Sequence, residues 1–256
     1  MFCNNRATFL LLSNQTMKRL RSGLESAMKG KIVLVTGASG GLGSHVVRAF
    51  LEAGASVVGT ARKIAQSEFS SERYLAIPGD LSTRKDAESL VGQALERFGR
   101  LDVLSHTVGG FAGGQTIADT DDASFQQMFD LNVNSLFHLL RAALPSLRET
   151  GNGRIIAIGS RAAVDPGPRV GAYSASKAAM VSLIRTVALE NKDAGLRCNV
   201  ILPGTIDTPA NRKAMPSADF AKWVQPEALA SLMVWLAGDA GKDVNGAVLP
   251  VYGGDV

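Results

Sequence analysis

From Lys31 onward the chain alternates short apolar runs with longer amphipathic ones. The run "KIVLVTG" is β-branched and apolar throughout, which predicts a strand covered on both faces. "LGSHVVRAFLEAG" carries apolar residues at helical spacing and closes on Gly54, a residue suited to ending a helix. The same alternation continues through strands in "ASVVGT", "RYLAIPGD", "LDVLSHT", "GRIIAIGS", "LRCNVILPG" and "GAVLPVYGG". Helices are predicted in "TRKDAESLVGQALERFG", as one long element over 122–149, over 172–193 and over 226–238. Seven strands interleaved with about six helices predict a single α/β domain, a doubly wound parallel sheet of Rossmann type with helices on both faces.

Charge changes the picture only at one end. The chain has 27 Lys and Arg against 23 Asp and Glu, with three His, and a pI of about 9.2. Residues 1–31 hold Arg6, Lys18, Arg19, Arg21, Lys29 and Lys31 against Glu25 alone. The remainder is therefore nearly neutral, and no basic patch with interleaved aromatics points to nucleic acid. Residues 1–30 are expected to form a disordered or partly helical extension, with Met28 as an alternative start, and residues 31–256 the Rossmann domain. The leader's one apolar run, "FLLL", is too short for a signal sequence or a membrane span, and its acid-poor start leaves a transit peptide as a minor reading. The two cysteines, Cys3 and Cys198, imply no disulfide framework, so a cytoplasmic protein is expected. No spacing suggests a metal site.

Chemistry concentrates in a few motifs. The first strand runs into "TGASGGLG", where glycines at 37, 41 and 43 allow a tight turn against a helix N-terminus, a cradle for a pyrophosphate. No Lys-Ser or Lys-Thr follows, which disfavours a nucleotide triphosphatase. In "GAYSASKAAM", Tyr173 and Lys177 are four apart and share a helix face. Ser160 ends a predicted strand thirteen residues before Tyr173, and Asn132 lies in "FDLNVNSLF".

With "PGD" followed by Leu81 and with "PGTIDT", these motifs stand in the order found in the short-chain dehydrogenase/reductase family, which the chain resembles across residues 31–254. The resemblance implies an NAD(P)H-dependent oxidoreductase moving hydride between nicotinamide and a small carbonyl or alcohol substrate. It assigns catalysis to Asn132, Ser160, Tyr173 and Lys177. Tyr173 is the general acid/base, its phenol lowered by Lys177; Ser160 bonds the reacting oxygen; Asn132 supports a water leading to Lys177. Cofactor contacts fall to Gly37, Ser39, Gly41, Leu42, Gly43, Asp80, Leu81, Gly109, Pro203, Gly204, Ile206 and Thr208, with Tyr173 and Lys177. One motif departs: the family's Asn-Asn-Ala-Gly reads His106-Thr107-Val108-Gly109, so His106 and Thr107 must tie the sheet in another way.

After the second strand no acid awaits a ribose 2′-hydroxyl, and Arg62 is placed to meet a 2′-phosphate. NADP(H) is therefore expected, with NAD(H) as the alternative. "GGFAGG" and the segment 207–223 resemble the substrate loop of quinoid dihydropteridine reductases, atypical members of the same family that lack the serine. Reduction of a flat heterocycle is the alternative activity that follows. A non-catalytic NADP-binding sensor is a third, against which the full Asn–Ser–Tyr–Lys set weighs. Residues 209–224 are expected to form a lid whose Met215 and Trp223 face Phe111 across the substrate pocket. Family members commonly assemble through their two long helices, so a homo-oligomer is expected, a tetramer before a dimer.

Overall fold

The computed structural model describes residues 27–254. The predicted extension over 1–30 therefore lies outside the described residues except at 27–30, of which Ala27, Lys29 and Gly30 are exposed. Met28 is fully buried, and its amide donates to the Ala53 carbonyl.

Seven parallel strands form one sheet in the order β3-β2-β1-β4-β5-β6-β7. They are β1 (Ile32–Thr36), β2 (Ser56–Ala61), β3 (Tyr74–Pro78), β4 (Val103–His106), β5 (Arg154–Ile158), β6 (Arg197–Pro203) and β7 (Val248–Val251). The central β1, β4 and β5 are buried at every position, as the unbroken apolar runs require. The order reverses between β1 and β4, and a doubly wound sheet opens a crevice at such a point, beyond the strands' carboxyl ends.

Helices cover both faces. On one side α2 (Arg84–Phe98), α4 (Ser135–Glu149) and α5 (Gly171–Glu190) press Leu90, Leu139 and Ile184 onto Leu34, Leu104 and Ile155. On the other, α1 (Gly43–Glu52) and α7 (Pro226–Ala237) bring Val46, Phe50, Leu229 and Met233 against Val33, Val103 and Ile156. The alternation of side chains along each strand sends odd and even residues into these two layers.

Two elements differ from the sequence-based expectation. The helix predicted over 122–149 is three pieces: α3 (Asp122–Phe129), a π turn (Asp130–Asn134) and α4. The wider turn carries Asn132 inward, where it is completely buried, and such turns gather at functional sites. The loop after β6 is in part helical, as α6 (Pro209–Ala214), started by the Thr208 hydroxyl accepting from the Asn211 amide.

Candidate active site

The glycine turn closes on itself. Gly37 has φ +69°, the Gly40 amide donates to its carbonyl at 2.9 Å, and a Cβ on Gly43 would lie 2.0 Å from that oxygen. Only glycine fits there. A Cβ on Gly41 would meet the Thr208 side chain at 2.9 Å, so the "PGTIDT" segment lies against the turn. Ser39 and Gly41 are exposed, whereas Leu42 is buried in the core. No side chain caps the N-terminus of α1 and no acid occupies its first turn. The Ser44 amide donates to the Gly40 carbonyl, and the His45 and Val46 amides donate to Leu42.

The other residues expected to meet a cofactor follow the carboxyl ends of the strands. Arg62 and Lys63 are exposed just past β2, and among the described residues neither joins an ion pair. Asp80 is exposed and accepts from the Ser82 amide, while Leu81 is 5% exposed, its side chain in the core. Pro203 ends β6. The Gly204 amide donates to Val251, and Ile206 bridges to Val224.

Tyr173 and Lys177 lie one turn apart on α5, and Ser160 follows β5. Burial pushes the Tyr173 phenol above its ordinary range, and a hydrogen bond with Ser160 pulls the other way. Burial is the larger of the two, so the phenol holds its proton at neutral pH. Lys177 is itself lowered to about 8 by burial, with Nζ donating to the Ile158 carbonyl at 3.2 Å. Asn132 is fully engaged: Oδ1 accepts from the Gly110 amide at 2.9 Å, and Nδ2 donates to the Gly110 carbonyl and to Ser176 Oγ, both at 3.0 Å. Gly109 fits between these groups, since a Cβ there would lie 2.8 Å from Asn132 Oδ1 and 2.9 Å from Lys177 Nζ.

Ser176 was missed by the sequence reading. Its hydroxyl donates to the Tyr173 carbonyl at 2.7 Å and accepts from Asn132, joining the π turn to the Tyr–Lys helix. A serine inside a helix gives no such signal until its partner, 44 residues away, is known. In the departed motif, Thr36 Oγ1 lies 3.0 Å from His106 Nδ1. The Thr107 amide donates to that hydroxyl at 3.2 Å, and Thr107 Oγ1 donates to the Thr36 carbonyl at 2.6 Å. Two threonines and a histidine thus fasten β1 to β4.

Phe111, Met215 and Trp223 are the residues expected on the substrate side. Phe111 is 69% exposed, and its ring meets Tyr173 edge-on at 4.9 Å. Met215 is exposed at the end of α6. Trp223 is 6% exposed, and its ring packs on Phe220 with centroids 4.8 Å apart. The bonds from Val224 to Thr205 and from Asp207 to Val224 draw this stretch inward, and the Gly254 amide donates to Lys222 over it. Burial of the indole then stabilises the loop from beneath. Among the described residues no group of three His, Cys, Asp or Glu side chains could hold a metal ion. No described helix is long and apolar enough to cross a membrane.

Residues 31–219 match the family model for short chain dehydrogenase. The 7alpha-hydroxysteroid dehydrogenase of Escherichia coli K12 is 29% identical over 245 residues, 90% of this chain and 95% of that protein. The L-fucose dehydrogenase of Mus musculus is 35% identical over 185 residues, 70% of this chain and 67% of that one. The solved structure of ElxO with NADP bound superposes with a TM-score of 0.82 at 26% identity, covering 89% of this chain and 98% of that chain. With the glycine turn, the crevice and the Tyr–Lys helix in one frame, the chain belongs to the short-chain dehydrogenase family and is an NAD(P)-dependent oxidoreductase.

Proposed function

We propose that the protein is an NADP(H)-dependent carbonyl reductase or alcohol dehydrogenase in which Asn132, Ser160, Tyr173 and Lys177 form the working set. The observation that carries this reading is the buried Lys177 one turn from Tyr173 on α5, with Ser160 just past β5 pulling down the phenol that burial raises. A bound nicotinamide supplies or accepts the hydride. Tyr173 donates its proton to the carbonyl oxygen as the alcohol forms, and takes it back in the oxidative direction. Ser160 donates to the same oxygen and stabilises the charge that develops there. Lys177 supports the phenolate left behind, and Asn132, locked to Gly110 and Ser176, fixes the π turn against α5.

Gly37, Ser39, Gly41, Gly43 and the N-terminus of α1 would hold the pyrophosphate. The backbone at Leu42 and Leu81 with Asp80, Gly109, Pro203, Gly204, Ile206 and Thr208 would line the rest of the crevice. Arg62 supports NADP(H) over NAD(H), since a guanidinium pairs well with a 2′-phosphate and no carboxylate stands at its place. ElxO, a structural relative, binds NADP.

Phe111 over Tyr173 and the exposed Met215 favour a substrate with a flat or apolar body beside its reacting carbon. Relatives act on steroids and on sugars by name, and the aromatic edge favours the former kind. Exposed Phe125, Leu131 and Phe137 on α3, the π turn and α4 support a homo-oligomer, a tetramer before a dimer. The buried, unpaired thiol of Cys198 suits a cytoplasmic protein. Steady-state oxidation of NADPH and of NADH over a panel of steroid ketones, β-ketoesters, aldose-derived carbonyls and quinonoid dihydropterin tests the reading. Turnover of ketones with NADPH is expected; absence of turnover across the panel with either cofactor overturns it.

A further inference from the structure

A small cavity opens at the Tyr173 end of α5. It has a volume of about 50 Å³ and is bordered by Gly113 and Gln115 of the loop after β4, Thr120 and Ser124 at the start of α3, and Arg169 and Gly171 just ahead of Tyr173. A single water needs about 10–15 Å³, so a polar group of several atoms fits. Phe111 joins the cavity to the reaction centre. A Cβ on Gly113 would lie 3.1 Å from Phe111 Cζ, and the same ring meets Tyr173 with centroids 4.9 Å apart.

Arg169 stands in the cavity wall on an unusual backbone. Its φ is +61°, and no other non-glycine residue among those described lies in the left-handed region. That conformation suits glycine, since a Cβ crowds the neighbouring carbonyl. The loop after β4 holds it in place. The Gly114 amide donates to the Arg169 carbonyl at 2.8 Å, and a Cβ on Gly113 would fall 3.1 Å from that same oxygen. Glycines occur two residues away on either side, at 167 and 171, yet the strained position carries an arginine. Strain of this kind collects at ligand clamps.

The hydrogen-bonding capacity left unspent sets what the cavity can take. Thr120 Oγ1 donates to the Thr116 carbonyl at 2.8 Å, and Ser124 Oγ donates to Asp121 Oδ2 at 2.9 Å, so both hydroxyl protons are used. The nearby carboxylates are used as well: Asp121 also accepts from the Ser124 amide, and Asp119 accepts from the Thr116 hydroxyl. Arg169 joins no ion pair among the described residues, and neither its guanidinium nor the Gln115 amide has a hydrogen-bond partner there. Both side chains are exposed. The free donors are thus a fork of guanidinium N–H groups, which matches a carboxylate, and a neutral amide beside it. A neutral hydroxyl would leave the charge unmet; a carboxylate meets it and uses both donors. We propose that Arg169 and Gln115 form a subsite for a carboxylate at the far end of the substrate, so that the protein acts on keto acids whose body lies along Phe111. The carbonyl end of this assignment rests on the reading of Tyr173 as the proton donor.

The probes are benzoylpropionate, benzoylbutyrate and benzoylvalerate, which space a ketone from a carboxylate by increasing lengths, each beside its methyl ester. Binding is read by isothermal titration of the full-length protein with NADP⁺ present, and in parallel with NAD⁺. At least one acid is expected to bind about 10-fold to 100-fold tighter than its ester, the ratio given by a hydrogen bond between charged groups. Arg169→Gly suits the backbone and should bring that acid down to its ester, with the ester's own affinity unchanged. Arg169→Lys should keep part of the preference, and Gln115→Leu should lose a smaller share of it. Acids bound no tighter than esters in the wild type, no binding of any acid, or a preference that survives Arg169→Gly overturns the proposal. Titration needs no turnover. A protein that reduces no ketone yet binds the acid through Arg169 contradicts the reductase reading alone, and one that reduces ketones without preferring acids contradicts the subsite alone.

Discussion

At Tyr173 the balance between burial and hydrogen bonding decides which direction of chemistry is poised. The phenol is raised by desolvation and only partly offset by Ser160, so at neutral pH it is a loaded donor. Ser160→Ala should therefore lower kcat by about 10²-fold to 10³-fold, the usual cost of one lost donor to a developing oxyanion, with cofactor affinity unchanged. Equal losses in kcat and in cofactor affinity would instead make Ser160 part of the binding crevice. Arg62→Ala should weaken NADPH by about 1.5–3 kcal/mol and leave NADH nearly unaffected, which titration of each cofactor by fluorescence will read. The placement of Tyr173 and Lys177 one turn apart, and of Ser160 just past β5, was readable in the sequence because it depends on local spacing and on a strand end. Ser176 was not, since its two hydrogen bonds exist only once the π turn has brought Asn132 beside it. The burial of Trp223 was not legible either, since it depends on the bridge from Ile206 to Val224 beside it.

Among the elements, the strands were readable nearly to the residue, because apolar runs bounded by glycine and polar loops have no competing interpretation in a parallel sheet. The break in the helix over 122–149 was invisible. A π turn inserts no proline or glycine, and its signature is a rotated side chain, not a residue type. That break has a measurable consequence. Ser176→Ala removes the link between the π turn and α5, leaving one Asn132 donor unpaired; it should lower kcat several-fold and change thermal stability by about 1–3 kcal/mol. Met28 packs with the layer of α1 and α7, so Met28→Ala should cost about 2–5 kcal/mol in chemical denaturation, whereas a surface residue would cost almost nothing.

For the whole molecule, the sequence yielded the sheet and the cofactor crevice together, since the glycine turn is both a fold signal and a ligand signal. Substrate was not readable, because Phe111, Met215 and the loop after β6 sit on irregular backbone. Stability should follow the buried histidine in acid. His106 is lowered from 6.5 to about 3 on folding, so below about pH 6.5 the unfolded chain takes up a proton that the folded chain refuses. Stability is then lost as pH falls through that window, with a slope of at most about 1.4 kcal/mol per pH unit from this group. Urea midpoints between those pH values should fall in the wild type and fall less in His106→Asn; parallel curves would show that other groups govern the acid limb. Light scattering at micromolar concentration should give the mass of a homo-oligomer, and a monomer would leave Phe125 and Phe137 without the role proposed for them. The decisive measurement is single-turnover reduction by Tyr173→Phe, with cofactor affinity measured alongside. Removing the proton donor should slow turnover by about 10²-fold to 10⁴-fold while NADPH binds as in the wild type. Retention of more than about a tenth of the wild-type rate would contradict the account, because the proton would then have to come from another group.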